Sequence, residues 1–183
     1  MGILNKNKLL RFLLLLVLCF PSGLKASWAE ETSQEYQLKA AFLVNFARFI
    51  TWPEQAFAPE QPELTICVAG KNPFGSALNG VEAKKIGGRN LRVVAVDSLS
   101  KVPQCHLLYV SRSEENDLNT LSVHLGRQAV VTVSDISGFL KEGGSIEFVS
   151  KENRLSFAIN NSALKQRGIQ ASASLLDLAA SVQ

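Results

Sequence analysis

Two cysteines, Cys67 and Cys105, stand in the body of this chain, and a third, Cys19, lies in an apolar stretch near its start. In an oxidising compartment an even pair forms a disulfide. The alternative is two buried free thiols, because cysteine also serves as a small apolar core residue. Bonded, the pair would close a loop of 39 residues counted inclusively, which in the chain-entropy picture stabilises the fold by about 4 kcal/mol. The two histidines, His106 and His124, show no His-x-x-x-His pattern, and no Cys-x-x-Cys accompanies them, so no metal site is expected. Gly70 and Gly75 are spaced like the opening of a phosphate loop, but Ser76-Ala77 follows where a lysine is needed, so a strand-to-helix turn is the expectation. Ser111, Ser134 and Ser137 lack a nucleophile-elbow context. Asp97 and Asp135 could act as bases in principle, yet nothing pairs them with a nucleophile, and loop aspartates ordinarily cap or turn the chain. No catalytic residue, metal or cofactor is expected on these patterns.

What remains is surface chemistry. Trp52 and Phe57 flank Pro53-Glu54-Gln55-Ala56. Large aromatics in a polar loop suit a binding anchor, and they would equally serve as a lid folded back on the core. Lys84, Lys85, Arg89 and Arg92 lie close together and could meet an acidic partner; a solvated face is the plain alternative. Phe139-Leu140 is a third apolar pair, either exposed or capping the sheet. Trp52, Glu54, Phe57, Lys84, Lys85 and Arg89 are therefore the candidate partner-binding residues.

Certain elements must position these groups. Thr32-Ser33-Gln34-Glu35 fits a capping box, and a helix is expected from Ser33 to Ile50. Leu38, Phe42, Phe46 and Phe49 would form its apolar stripe, widened by Ala41, Leu43 and Val44, with Lys39, Asn45 and Arg48 on the wetter face. Pro53 ends it, and 53–63 reads as a loop. Strands are expected at 64–68, 91–96, 105–110 and 129–133, with a hairpin or loop at 81–90. An antiparallel pair, 146–149 and 155–159, should turn at Lys151-Glu152-Asn153. A short helix fits 75–79, a longer one capped by Ser113 runs to Leu125, and others fit 160–166 and 172–180. The alternation points to an α/β fold: one domain, a mixed β-sheet flanked by helices, and one disulfide. The first strands pair in parallel on this reading.

The chain's start reads as a secretory leader. Lys6, Lys8 and Arg11 precede the apolar run Phe12 to Phe20, Pro21 to Gly23 break it, and Ser27-Trp28-Ala29 places small residues at a cleavage site after Ala29. The run is too short to span a membrane, which needs about 20 apolar residues. Residues 1–29 are thus expected to be removed, leaving 30–183 as the exported domain. Four of the 19 Lys and Arg leave with the leader and no acid does, so 15 face 16 Asp and Glu. No basic surface for nucleic acid is expected from that balance.

Lys39-Ala-Ala-Phe-Leu-Val-Asn-Phe-Ala-Arg-Phe-Ile-Thr-Trp-Pro53 resembles the opening motif of the YfiR family of periplasmic proteins. Val68 to Gly75, Cys105-His106, Val131 to Phe139, Gly143 to Phe148, Arg154 to Asn160 and Leu175 to Ala179 resemble its later blocks, in order. The resemblance implies a periplasmic α/β domain that restrains an inner-membrane diguanylate cyclase by binding its periplasmic sensor domain. It implies lowered cyclic-di-GMP and biofilm formation, release through an outer-membrane lipoprotein, and self-association into a homodimer. It places a disulfide at Cys67 and Cys105, and adds the last segment near Ser172 to the candidate contact residues. A second disulfide of the best-known member has no counterpart here, because no cysteine follows Cys105. The other reading of the whole chain is a periplasmic sensor with a small-ligand pocket between the first helix and the sheet.

Overall fold

The computed structural model describes residues 24–57, 62–152 and 154–183, with side chains from residue 33 onward. The basic and apolar parts of the expected leader, Pro59 of the expected loop and Asn153 of the expected turn lie outside the described residues. The chain divides into two units, 1–34 and 35–183. The described part of the first, 24–34, is helical and opens helix α1, Leu24–Phe49. The helix therefore does not begin at Thr32. Leu24 to Glu31 contain no proline or glycine and carry good helix formers, so the helix continues through them. Among the described residues, no helix is long and apolar enough to cross a membrane.

In the second unit α1 buries Ala40, Leu43, Val44, Phe46 and Ala47, a spacing of three and four that makes one stripe. Phe42 and Phe46 meet Phe148 and Phe157 with ring centroids 5.0 to 5.9 Å apart. Two expectations fail here. Leu38 and Phe49 are half-exposed and Ala41 is exposed, since the buried arc is centred on Leu43 and Phe46. Lys39, expected on the wet face, is buried because its charge has a partner in the sheet's far half.

The sheet explains the burial. Strands β2 (Leu64–Ala69), β4 (Arg89–Val96), β5 (Leu107–Val110), β6 (Val131–Ser134) and β7 (Ile146–Lys151) lie in the order β4-β2-β5-β6-β7, all parallel. The chain moves from β2 outward to β4, then crosses back to continue on the other side, so the winding reverses between β2 and β5. β8 (Arg154–Ile159) returns antiparallel to β7, as the sequence predicts. β3 (Lys85–Ile86) forms a hairpin with β4 through Gly87 and Gly88, whose φ of 56° and 81° suit a tight two-residue turn. Because strands are pleated, Ile66, Val68, Leu107, Tyr109, Val131 and Val133 face α1. Cys67, Ala69, Leu108 and Val110 face a second layer that includes Leu118, Leu121, Leu125 and Phe139. The α/β class, the mixed sheet with flanking helices and the single disulfide follow the sequence reading.

Some elements differ from the expectation. Residues Arg112–Thr120 form 3-10 turns, and only Leu121–Leu125 is an α-helix, α2. The run Arg112-Ser-Glu-Glu-Asn-Asp is polar and rich in residues that compete for backbone groups, which favours turns. Ser113 does not cap it; its hydroxyl accepts from the Lys71 backbone N–H at 2.9 Å. Short pieces escape the sequence. β1 (Ile50–Thr51) pairs antiparallel with β9 (Gln170–Ala171), and β10 (Ser181–Val182) adds in parallel to β8. Helices α3 (Asn161–Gln166) and α4 (Ala173–Leu178) lie between them, capped by Asn160 and Ser172.

Candidate functional site

The end of α1 delivers Trp52 to the starting edge of the parallel strands. Its ring is 7 % exposed, and its indole N–H donates to the His106 carbonyl at 3.0 Å. Trp52 thus takes the folded-back arrangement and forms the floor of a site, not its rim. Phe57, half-buried, lies flat on the His106 imidazole with centroids 4.3 Å apart. The Arg89 guanidinium covers the outer face of Phe57, 3.7 Å from its centroid, a cation–π contact. Arg89 also donates to the Pro62 carbonyl at 3.0 Å. Imidazole, phenyl and guanidinium therefore stack in three layers. Burial pushes the His106 pKa down to about 4, and the Arg89 charge adds to that. His106 Nδ1 accepts from the Thr65 backbone N–H at 3.0 Å, so the neutral ring carries its proton on Nε2.

A groove of about 430 Å³ opens beside this stack, lined by Arg48, Ile50, Trp52, Glu54, Phe57, Leu64, Ile86 and Arg89 among others. It brings together four of the sequence-predicted residues: Trp52, Glu54, Phe57 and Arg89. Lys84 and Lys85 are exposed on the adjoining β3 hairpin, which is the sheet's edge. Ser172 caps α4, and its backbone N–H donates to the Phe49 carbonyl at 2.9 Å. It stands by the β1–β9 ribbon, whose Ile50 and Thr51 line the groove. Phe139 and Leu140 are buried and cap the sheet. Cys67 and Cys105 are bonded, with Cα atoms 6.0 Å apart, on the face of the sheet turned away from α1. The bond anchors the residue next to His106 and so holds the base of the stack.

A second constellation lies at the opposite, C-terminal edge of the strands. Asp135 follows β6 directly and is buried. Its Oδ2 accepts from Lys39 Nζ at 2.5 Å and from the Tyr36 hydroxyl at 2.9 Å. Arg112 Nε lies 3.4 Å from Oδ1, and Glu35 pairs with Lys39 on the outer side at 2.5 Å. Burial raises the Asp135 pKa, but the Lys39 hydrogen bond and charge, Tyr36 and Arg112 outweigh it and hold the carboxyl below its ordinary value. Tyr36 is pushed up to about 12, by burial first and then by Asp135, and Tyr109 is pushed up by the same causes in the same order. These contacts fasten α1 to the sheet. The sequence offers no local signal for them.

A family model described as YfiR/HmsC-like, DUF4154, matches residues 36–180. No curated protein matches the sequence. Among solved structures, a conserved domain protein from Vibrio cholerae is 13 % identical over 66 % of this chain and 55 % of that one, with a TM-score of 0.47. The ABC domain of a Streptococcus pneumoniae protein, solved with L-Trp, is 12 % identical over 77 % of this chain and 60 % of that one, with a TM-score of 0.50. The chain thus spans little more than half the length of either, and at such identity the second likeness speaks to the fold alone. The family match takes in most of α1, the groove, both bonded cysteines and Asp135 as one uninterrupted block. On that match the chain belongs to the YfiR/HmsC-like family.

Proposed function

We propose that this chain is a periplasmic regulator of cyclic-di-GMP signalling that acts by binding, with no bond-making chemistry of its own. Its target on this reading is the periplasmic sensor domain of an inner-membrane diguanylate cyclase, which it holds in an inactive arrangement. Differential affinity for that arrangement sets how far the cyclase equilibrium moves. An outer-membrane lipoprotein would relieve the restraint by competing for the repressor. Family membership supports the signalling role, and the disulfide suits export behind the leader 1–29. One observation carries the docking site: the Arg89–Phe57–His106 stack beside a groove floored by Trp52. A rigid aromatic anchor flanked by arginine is the composition of interface hot spots, and pre-ordering by the disulfide lowers the cost of docking. Cells lacking the chain should show raised cyclic-di-GMP and heavier biofilm. The native chain should reverse both, and a Phe57→Ala/Arg89→Glu variant of native stability should not. Unchanged cyclic-di-GMP on deletion, or full repression by that variant, would sink the proposal.

The groove also favours a second reading, a small-ligand sensor, because it lies between the end of α1 and the sheet. A ligand seated there would raise the melting temperature with its concentration, and the rise would vanish in Phe57→Ala.

A further inference from the structure

A separate hollow of about 460 Å³ lies on the far side of the Trp52 loop, where the strands begin. Its lining includes Arg127, Arg167, Gln55, Gln104 and Gln128, together with Cys105 of the disulfide, and it contains no Asp or Glu. Glu54, the acid nearest in sequence, lines the groove already described. Among the described residues neither Arg127 nor Arg167 enters an ion pair. Arg167 is half-buried, and its polar contact is a long one, Nη1 donating to the Gln128 carbonyl at 3.4 Å. Burial lowers its pKa. A half-buried guanidinium without a counter-ion is costly, and the exposed Arg127 and three glutamines line the same hollow.

We infer that this hollow is an oxyanion site in which Arg127 and Arg167 together hold a carboxylate. Planar guanidinium forks match carboxylate oxygens two to two, and the glutamine amides offer further N–H donors around them. The carboxylate belongs either to a free small acid or to an acidic side chain of a bound polypeptide; the recognition chemistry is shared. The site is distinct from the Phe57 groove, so it stands whether or not that groove docks a cyclase.

The test uses the purified, oxidised chain at constant ionic strength. Citrate and succinate are titrated in turn, followed by a peptide with blocked termini and two glutamates, and binding is read by calorimetry and by melting temperature. Saturable binding of at least one probe is expected, with about a tenfold loss in each of Arg127→Gln and Arg167→Gln. Arg48→Gln, in the other groove, should leave it unchanged. The small acids saturating alone identifies a free ligand, and the peptide saturating alone identifies a partner side chain. Without any probe, Arg167→Gln should melt no lower than the parent, since it removes a charge that lacks an acidic partner among the described residues. No saturable binding, binding that survives the double Arg127→Gln/Arg167→Gln variant, or a clearly lowered melting point in probe-free Arg167→Gln would each overturn the assignment.

Discussion

Replacing Lys39 by methionine tests the fastening of α1 to the sheet. Methionine keeps the apolar stem and roughly its volume, so the substitution removes charge with little loss of packing. Lys39 and Asp135 are almost wholly buried, with side chains 2 % and 4 % exposed. Removing one partner of such a pair costs about 3–5 kcal/mol, because the other charge is left desolvated. Tyr36 still donates to Asp135, and Arg112, 68 % exposed, offers a solvent-screened contact worth about 0–1 kcal/mol. The lower end, about 3 kcal/mol, is the expectation, against a typical domain stability of about 5–15 kcal/mol. At roughly 2–4 °C per kcal/mol for a chain of this size, the melting point should fall by about 6–12 °C. The companion variant Lys39→Met/Asp135→Leu removes both charges and should recover to within about 1 kcal/mol of the parent. The pH response supplies a second reading. In the parent, the depressed Asp135 pKa means its contribution is complete above the ordinary carboxylate range and is lost as pH falls through the folded value. In Lys39→Met burial dominates and raises that pKa, so acidification should narrow the gap between variant and parent. Urea melts of all three proteins at pH 7 and pH 4.5 measure this. A Lys39→Met cost below about 1 kcal/mol, or a double variant no more stable than the single, would refute the reasoning.

The native, unreduced chain should show no titratable thiol from Cys67 or Cys105, and reduction should lower its unfolding free energy by about 4 kcal/mol in denaturant melts. Gly70→Ala should cost about 2 kcal/mol or more in the same assay, because Gly70 has φ of 81° and an added Cβ would collide with the Ser113 hydroxyl and the Glu114 carboxylate. His106, its pKa lowered to about 4, should resist protonation while the unfolded chain takes up a proton near pH 6.5. Stability from this group is therefore complete above about 6.5 and falls as pH drops toward 4. His106→Gln should flatten that slope in melts run across pH 4 to 7.

Much of the sheet was legible because buried strands announce themselves. Leu-Thr-Ile-Cys-Val and Cys-His-Leu-Leu-Tyr-Val are apolar runs between turn residues, and the glycine-bearing stretch 81–90 reads as a hairpin or loop without fixing where it turns. The two-residue strands β1, β9 and β10 were not legible, since two residues carry no periodicity. Phe57 and Arg89 could each be singled out, but their stacking could not, because a loop and a hairpin 32 positions apart meet only once the sheet has formed. Ser172 came from likeness alone and proved to be a helix cap beside the groove. Lys39 was misread for a general reason. Helical spacing shows which face a residue takes, whereas burial of a charge is decided by a distant counter-ion.

That counter-ion has a consequence for the order of assembly. Lys39 is synthesised 96 residues ahead of Asp135. Until the later segment emerges, its ammonium group has only Glu35, one turn back, for company and stays hydrated. A sheet made only of β2, β4 and β5 would offer α1 neither that carboxylate nor Phe148 and Phe157, the rings its own phenylalanines meet. Those contacts exist only once β6, β7 and β8 have joined the sheet. The first helix to be made thus takes its closest partners from the later part of the chain.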